Sequence, residues 1–313
     1  MRTDFNRWSF LTGRDPFIRL VVREQTDDEC VADLCFEYHH EGAIGLPHGG
    51  LAMGLCLDMW RNYGSPEYPV HVSFRFGGSG LRIGDDAQLH ATLTQDHRGP
   101  VFSASITKYG DKKPYLRAEV VSLGAENPEA PAVQRPGNVT RLLPYYRNCF
   151  VCGRHRDVVG LQRRFRYHET PDWQGVSVLW GDRGEDQDRA RCFLIGEREL
   201  HPAVITSIFD ENTGWAGFMR TKGAGLTVRM DLTLMRPVES DDQLLFIGQP
   251  DGVRGNASNP RFFTANGIAL SMNSPGGPAP VAMGSGEWII LQSITEQVKQ
   301  HLLPEDDWQW IFE

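Results

Sequence analysis

Two long apolar segments, each interrupted by acidic residues, dominate the pattern of hydrophobic and polar positions along the chain. The stretch 200–219 has apolar side chains around most of its helical circumference, yet Asp210 and Glu211 lie in its middle. The stretch 47–62 repeats this pattern, with Asp58 as its acid. A buried carboxylate is costly unless it has a partner or a chemical task. The two predicted helices therefore mark the candidate functional region.

Segments of alternating apolar and polar residues predict strands before and after each helix. In the first half these segments are 17–22, 30–38, 70–76, 87–95, 101–109 and 115–122. In the second half they are 160–167, 175–180, 226–235, 243–249, 261–272 and 282–291. Because the strands do not alternate with helices, the pattern favours antiparallel sheets over a doubly wound nucleotide-binding fold.

The repeated order of elements predicts an internal duplication. We assign 1–124 to an N-terminal domain, 125–139 to a proline-rich linker, 140–293 to a C-terminal domain, and 294–313 to a C-terminal helix and tail. The predicted fold class is α+β, with two antiparallel sheets that each wrap around one central helix. Such sheets can pair edge to edge as a pseudo-dimer. The charged segment 181–191 is expected to be a solvated surface loop.

Composition narrows the class of protein. The chain has 313 residues, 40% of them hydrophobic and 23% charged, as in a globular protein. Its net charge of −8 disfavours a nucleic-acid partner, which needs clustered Lys and Arg. No apolar run is long enough to span a membrane, and the first residues lack the apolar core of a signal peptide. The 6 irregularly spaced cysteines suggest free thiols, so we expect a cytoplasmic location.

Several short motifs of the second half occur in the order found in one known superfamily. These motifs are Cys149–Gly153, Gly160-Leu161, His201 with Asp210-Glu211, Gly214–Ala216, Met235–Pro237 and Gly286–Leu291. The first half matches more loosely, through Pro47–Gly50, Asp58 and Gly84-Asp85. The chain thus resembles the hotdog-fold thioesterases of the phenylacetate-pathway and acyl-CoA thioesterase type. Both halves together resemble a tandem double hotdog.

The resemblance implies a site shared between the halves. In this superfamily the residue after the helix-opening histidine presents its backbone N–H to the thioester carbonyl, which corresponds to Gly49 after His48. The general base or nucleophile corresponds to Asp210, and the hydroxyl that orients water corresponds to Thr227. The residues assigned to substrate binding are Gly50, His71 and Asn212.

The opposite composite site has less suitable residues. Pro202 stands at the donor position and has no N–H. Leu57 stands at the acid position, one residue before Asp58. The residues of this possible second site are Asp58, His201 and Glu211. We therefore expect one working site in each chain.

Other interpretations of the same residues stay open. Asp210 can be a structural acid held by backbone amides, and His48 and His201 can serve only as helix caps. Cys149-x-x-Cys152, with His155 nearby, is compatible with zinc or redox chemistry, but a second pair at metal-ligand spacing is absent and no metal is expected. A non-catalytic acyl-thioester binding protein and a hotdog enoyl hydratase or dehydratase are the alternative functions, although the dehydratase-type His-Phe-Pro-Gly signature is absent.

The predicted function is hydrolysis of an acyl-CoA or acyl-carrier-protein thioester. Coenzyme A enters only as part of the substrate, and no cofactor is expected. The expected partner is a small acyl thioester or an acyl carrier protein, with no nucleic acid and no membrane. Assembly of the pseudo-dimers into a homo-oligomer is left open.

Overall fold

The structure is a computed structural model of the chain. The residues that it describes are 9–13, 15–63, 67–77, 80–97, 99–124, 133, 141–181, 184–256, 259–304 and 308–313.

Five α-helices are present among the described residues, and the two longest are those predicted from the apolar segments. They are α1 (Gly49–Tyr63), α2 (Gly184–Ala190), α3 (Pro202–Thr221), α4 (Gln292–His301) and α5 (Gln309–Phe312). The His201 side chain caps α3 by accepting a hydrogen bond from Ala203 N–H, with Pro202 at the first helical position. The helix ends at Lys222, which has a left-handed φ of 57°.

The strands follow the alternating segments of the sequence. Those of the first part are β1 (Leu20–Gln25), β2 (Glu29–Cys35), β3 (Glu41–Ala43), β4 (Leu46–Pro47), β5 (Val70–Phe76), β6 (Asp86–Asp96), β7 (Gly99–Lys108) and β8 (Leu116–Ser122). Those of the second part are β9 (Arg141–Leu142), β10 (Tyr145–Tyr146), β11 (Arg166–Thr170), β12 (Trp173–Trp180), β13 (Leu194–Ile195), β14 (Glu199–Leu200), β15 (Gly225–Leu234), β16 (Leu244–Asn256), β17 (Asn259–Ser271), β18 (Ala279–Ile290) and β19 (Leu302–Leu303).

One large antiparallel sheet contains 13 of these strands, in the order β1-β2-β6-β7-β8-β5-β15-β18-β17-β16-β12-β11-β9. The prediction of two sheets is not confirmed, because the halves meet edge to edge in one continuous sheet. Strand β5 pairs with β8 on one side and with β15 on the other, with Val72 opposite Leu232. Backbone hydrogen bonds therefore run without a break from the first half of the chain into the second.

Helices α1 and α3 lie side by side on one face of this sheet. Helix α1 packs against β6, β7 and β8, and α3 packs mainly against β12, β16 and β17. Nearly all of their apolar side chains are buried, and each large one contributes about 1.5–3 kcal/mol relative to exposure. An acid in this environment needs partners within the protein.

The two helices cross in direct contact at small residues. A Cβ at Gly50 would lie 2.1 Å from Ser207 Cα, and one at Gly54 would lie 2.3 Å from Ala203 Cβ. The start of α1 therefore lies against the middle of α3, and the start of α3 against the middle of α1. This crossing brings each helix-opening histidine close to the acids of the other helix.

Three predicted segments differ from the structure. The first strand is β1, which starts at Leu20, since the backbone N–H groups of Phe17 and Ile18 donate instead to Phe10 O and Leu11 O. Of 160–167, only the last two residues are in a strand. The segment 181–191 is not a simple solvated loop, since it contains α2, whose buried Asp186 accepts a hydrogen bond of 2.9 Å from buried Arg163.

The predicted linker, 125–139, lies outside the described residues apart from Val133, so the domain boundary stays a prediction. The C-terminal helix is confirmed as α4, and the side chains of Ile311 and Phe312 in α5 are buried. Among the described residues, we find no helix with both the length and the apolarity needed to cross a lipid bilayer.

Candidate active site

A cavity of about 620 Å³ opens beside the crossing of α1 and α3. Residues of both halves line it, and its walls are mainly apolar. The aromatic side chains of the wall are Phe76, Tyr115, Tyr146, Trp215, Phe218, Phe262 and Trp288. Such a cavity suits a ligand with an apolar group and a few polar atoms.

Gly49, Asp210 and Thr227 meet at one wall of this cavity. Thr227 Oγ1 donates a hydrogen bond of 2.8 Å to Asp210 Oδ1. The other carboxylate oxygen, Oδ2, lies so close to Gly49 that a Cβ there would be 2.9 Å from it. Gly49 is the first residue of α1, where a backbone N–H has no acceptor in the helix. The structure thus brings together the three residues predicted for the composite site.

Burial controls the ionisation of Asp210. It raises the pKa of this carboxyl group above its usual value, while His48 and the hydrogen bond from Thr227 oppose the shift. Asp210 is 8% exposed and faces the cavity, so its carboxylate has lost most of its solvent but can still reach a ligand.

His48 caps α1 and also reaches the acids of α3. Gly50 N–H donates to Nδ1 over 3.0 Å, so Nδ1 holds the lone pair and the proton is on Nε2. Nε2 lies 3.4 Å from Glu211 Oε2, and Nδ1 lies 4.0 Å from Asp210 Oδ2. Both ring nitrogens are therefore directed at groups of the protein itself.

Glu211 belongs to the first site and not to the second, which corrects its predicted assignment. Its Oε2 accepts from His48 Nε2–H over 3.4 Å and from the Cys149 thiol over 3.0 Å, and its Oε1 accepts from Trp215 Nε1–H over 3.4 Å. Burial is the main reason that its pKa rises to about 8. The cause of the misassignment is the helix crossing, which directs position 211 toward the histidine of the other half.

Asp58 and His201 form the equivalent pair on the opposite side of the crossing, and both side chains are inaccessible to solvent. His201 Nε2 faces Asp58 Oδ1 at 3.2 Å. Ser9 and Thr12 donate hydrogen bonds to Asp58 Oδ2, and the Phe10 ring packs edge-on against His201. The N-terminal segment therefore packs directly against this buried pair.

Comparison with known proteins yields structures but no sequence relatives. No protein-family model matches the chain, and no curated protein matches it. The tesB protein of Mycobacterium avium subspecies paratuberculosis superposes with a TM-score of 0.53 at 12% identity, over 86% of this chain and 96% of that one. The acyl-CoA thioesterase II TesB2 of Mycobacterium marinum gives 0.50 at 14% identity, over 87% and 96%. An N-terminal dehydratase from the difficidin assembly line gives 0.54 at 11% identity, over 88% and 99%.

The chain has the hotdog fold. Identities this low establish the fold alone, so the predicted hotdog fold is confirmed and its tandem double arrangement stays a prediction. Both thioesterases and dehydratases occur among the similar structures, so the chemistry of this hotdog protein has to be argued from its site.

The three residues predicted to bind substrate do not line the cavity. Gly50 lies in the helix crossing, and Thr206 Oγ1 donates to its carbonyl over 2.8 Å. The Asn212 amide is buried and bonds to Val176 O and Gly248 N–H, where it joins α3 to β12 and β16. His71 is in β5, where its neighbours Val70 and Val72 point to the buried face and His71 to the other.

Sequence reasoning missed the part that Cys149 and Cys152 play in the cavity wall. His155, the suggested third ligand, bonds instead to Tyr145 OH over 3.1 Å. Ligand atoms of His48, Cys149 and Glu211 do lie within 4.8 Å of one another. Because Gly50 N–H occupies Nδ1, however, the His48 nitrogen that faces this cluster carries a proton and acts as a donor, which disfavours a metal ligand. The sequence did contain a signal that Glu211 is the counterpart of Asp58, because the spacing from His48 to Asp58 equals the spacing from His201 to Glu211.

Proposed function

We propose that this hotdog protein hydrolyses an acyl thioester carried by coenzyme A or by an acyl carrier protein. The observation that carries the proposal is the position of Asp210, held by Thr227 through Oδ1 and beside Gly49 through Oδ2 in a largely apolar cavity. An acid, a hydroxyl and a helix N-terminus at one point supply a base and an oxyanion donor.

In the proposed mechanism, the thioester carbonyl oxygen lies against Gly49 N–H. Asp210 Oδ2 takes a proton from a water molecule, which attacks the carbonyl carbon. The tetrahedral oxyanion is stabilised by Gly49 N–H and by the positive end of the α1 dipole. Collapse of the intermediate breaks the C–S bond, and the thiolate leaves with the proton that Asp210 received. The chemistry needs no cofactor.

A hydratase or dehydratase is the second candidate. His48 Nδ1 lies 4.0 Å from Asp210 Oδ2, and the two residues come from opposite halves. Such chemistry needs a histidine nitrogen free to exchange a proton with the substrate. Both nitrogens of His48 are engaged by Gly50 and Glu211, which favours the thioesterase.

We further propose that the fold is a double hotdog, in which α1 and α3 with their strands are equivalent units. The matching pairs His48–Glu211 and His201–Asp58 support this proposal. Superposition of residues 14–124 on 140–292 in an experimental structure should align the two helices and their sheets, and helices that fail to align would contradict it. The free cysteines among the described residues fit a cytoplasmic location.

Replacement of Asp210 by Asn tests the proposed function. The variant should fold normally and lose on the order of 10²–10⁴-fold in kcat/KM, because an amide cannot act as the base. The assay is release of free thiol from a panel of acyl-CoA substrates, with loss of enoyl-CoA absorbance measured in parallel for hydration.

Asp231→Asn is the matched control, since Asp231 is in β15 and pairs with Arg75 over 3.0 Å. Thiol release by Asp210→Asn within a few-fold of the wild-type rate would refute the role of Asp210. Hydration of enoyl-CoA without thiol release would favour the second candidate, and binding without either reaction would favour an acyl-thioester binding protein.

A further inference from the structure

The Cys149–Gly153 turn brings two thiols together at the wall of the cavity. Gly153 N–H donates to Cys149 O over 2.9 Å and closes one helical turn. A Cβ at position 153 would lie 2.4 Å from that oxygen, so glycine is required. Side chains three positions apart lie on one face of a helical turn. Cys149 and Cys152 accordingly lie on one side of this turn, close enough to influence each other's ionisation, and both line the cavity.

The two sulfur atoms have unequal surroundings. Burial disfavours a thiolate at Cys149, but hydrogen bonds from Cys152 and His48 outweigh this effect and lower its pKa well below the usual value. Burial, together with the neighbouring Cys149, raises the pKa of Cys152. Because the thiolate is the reactive form, Cys149 is the nucleophile of the pair and Cys152 the thiol that follows.

Backbone and side-chain groups also support a thiolate at Cys149. Val151 N–H donates to Cys149 Sγ over 3.3 Å. Glu211 Oε2 accepts a hydrogen bond from the Cys149 thiol over 3.0 Å and can take the thiol proton. A small oxidant in the cavity therefore meets a nucleophilic sulfur with a base beside it and a second thiol within reach.

The other four cysteines do not have this arrangement. Cys30 and Cys56 are buried in the core, and burial raises the pKa of Cys56 to about 12. Neither these two nor Cys35 and Cys192 line the cavity. Cys192 is exposed, which makes it an internal reference for an ordinary surface thiol.

We propose that Cys149 and Cys152 are a redox-active dithiol, which a peroxide that enters the cavity converts to an intramolecular disulfide. The Cys149 thiolate attacks one peroxide oxygen, the O–O bond breaks, and Cys149 becomes a sulfenic acid. The other oxygen leaves as water with the proton that Glu211 received. The Cys152 thiol then attacks the sulfenic sulfur, the S–S bond forms, and a second water leaves. The two cysteines are oxidised and the peroxide is reduced.

Oxidation changes the hydrogen bonds of the cavity wall. In the disulfide, Cys149 has no S–H, so its hydrogen bond to Glu211 Oε2 is lost. Trp215 Nε1–H donates to the other oxygen of the same carboxyl group. The oxidation state of the pair therefore acts on Glu211 and on an indole of the cavity wall, next to Asp210.

The test treats the reduced full-length protein with hydrogen peroxide and maps its thiols by mass spectrometry. Trypsin cuts after Arg147 and Arg154, so one peptide, 148–154, carries both cysteines. We expect this peptide to lose the mass of two hydrogen atoms and to regain it with dithiothreitol. Oxidation should also shift the tryptophan fluorescence. No thioester is involved, so this test can fail or succeed independently of the proposed function.

Two variants assign the steps. Cys152→Ser should form no disulfide and should leave a sulfenic acid at Cys149, which dimedone traps. Cys56→Ser is the matched control and should form the disulfide as the wild type does. The wild-type peptide map alone decides the proposal if a variant does not fold.

Three outcomes would overturn the proposal. One is a peptide 148–154 that stays reduced under peroxide exposure that oxidises Cys192. Another is a disulfide that joins Cys149 to a cysteine other than Cys152. The third is a protein that, as purified, holds one equivalent of zinc through these thiols, as measured by elemental analysis.

Discussion

Thr227 fixes the orientation and the charge of Asp210. Its hydroxyl donates to Oδ1, which leaves Oδ2 directed at Gly49 and the cavity. A hydrogen bond to the charged form of a carboxyl group lowers its pKa, and at Asp210 this effect opposes the larger effect of burial. The proposed activity of Asp210 as a base therefore depends on one hydroxyl group of β15.

Removal of this hydroxyl should slow hydrolysis and shift its pH dependence. In Thr227→Val the pKa of Asp210 rises further, so a larger fraction is protonated and the acidic limb of the kcat/KM profile moves to higher pH. A hydrogen bond to a charged group contributes about 1.5–3 kcal/mol, which corresponds to roughly a 10- to 150-fold loss in rate. The measurement is thiol release as a function of pH.

Thr227→Ser keeps the hydroxyl and should keep both the rate and the pH profile close to those of the wild type. An unchanged acidic limb in Thr227→Val, with the rate also unchanged, would contradict the role assigned to this hydrogen bond.

The crossing of α1 and α3 is the element on which the site depends. It requires small residues at Gly50 and Gly54, because the backbone of α3 lies where their side chains would be. The crossing brings Gly49 from one half to Asp210 from the other. It also directs Glu211 to His48 and Asp58 to His201.

A methyl group at the crossing should destabilise the protein. In Gly54→Ala the Cβ would lie 2.3 Å from Ala203 Cβ, and overpacking of this kind costs about 1–3 kcal/mol. The gain in helix propensity from Gly to Ala, up to about 1 kcal/mol, is smaller. Chemical denaturation should show a reduced free energy of unfolding.

Gly80→Ala serves as the comparison, since no atom lies within 4 Å of a Cβ built at Gly80. A Gly54→Ala protein at least as stable as this control would show that the helices separate without cost.

Most elements could be predicted from the sequence because their pattern is local. The alternation of Val70–Phe76 gives β5 with the observed bounds, and the apolar periodicity gives α1 and α3 to within two residues. The composite of Gly49, Asp210 and Thr227 followed from motifs whose spacing reflects one fold. The location of Glu211 and Cys149 could not be predicted from the sequence, because it depends on how two distant helices cross. Nor could the burial of Asp186, whose partner Arg163 lies in another segment.

The two helix-opening histidines, His48 and His201, lie in sites that differ across the molecule. One has a cavity with Gly49 and Asp210, and the other has Pro202, Leu57 and an Asp58 that is sealed by the N-terminal segment. The buried pair of Asp58 and His201 supports the fold only while both partners are present. Under the proposed function, catalysis takes place at the first site and the second site has a structural role.

The corresponding Asn variants at the two sites should separate these roles. Asp58→Asn should lower the free energy of unfolding by about 3 kcal/mol or more, because His201 loses its buried partner. Its kcat should stay within about twofold of the wild type where the variant is folded, a limit well below the 10²-fold effect of losing a catalytic base. Asp210→Asn should instead lower kcat and leave the free energy of unfolding close to that of the wild type. Calorimetric titration with a non-hydrolysable thioester analogue should give one binding site for each chain.

Pro202→Gly restores an N–H at the donor position of the second site. The titration of this variant should still give one binding site for each chain. Two equivalents of bound analogue, or loss of hydrolysis in Asp58→Asn without loss of stability, would contradict this division.

The strand pair β5–β15 has a consequence for how such a protein can change over time. In a dimer of identical chains, every substitution occurs twice, and a proline that removes an oxyanion donor would remove both at once. Here the two halves belong to one polypeptide and one sheet, so a substitution in one half leaves the other half unchanged. Under the proposed double-hotdog arrangement, a substitution such as proline at the donor position affects one site and leaves the other intact. In the proposed double hotdog, one chain can therefore hold a reactive centre in one half-site and an internal brace in the other.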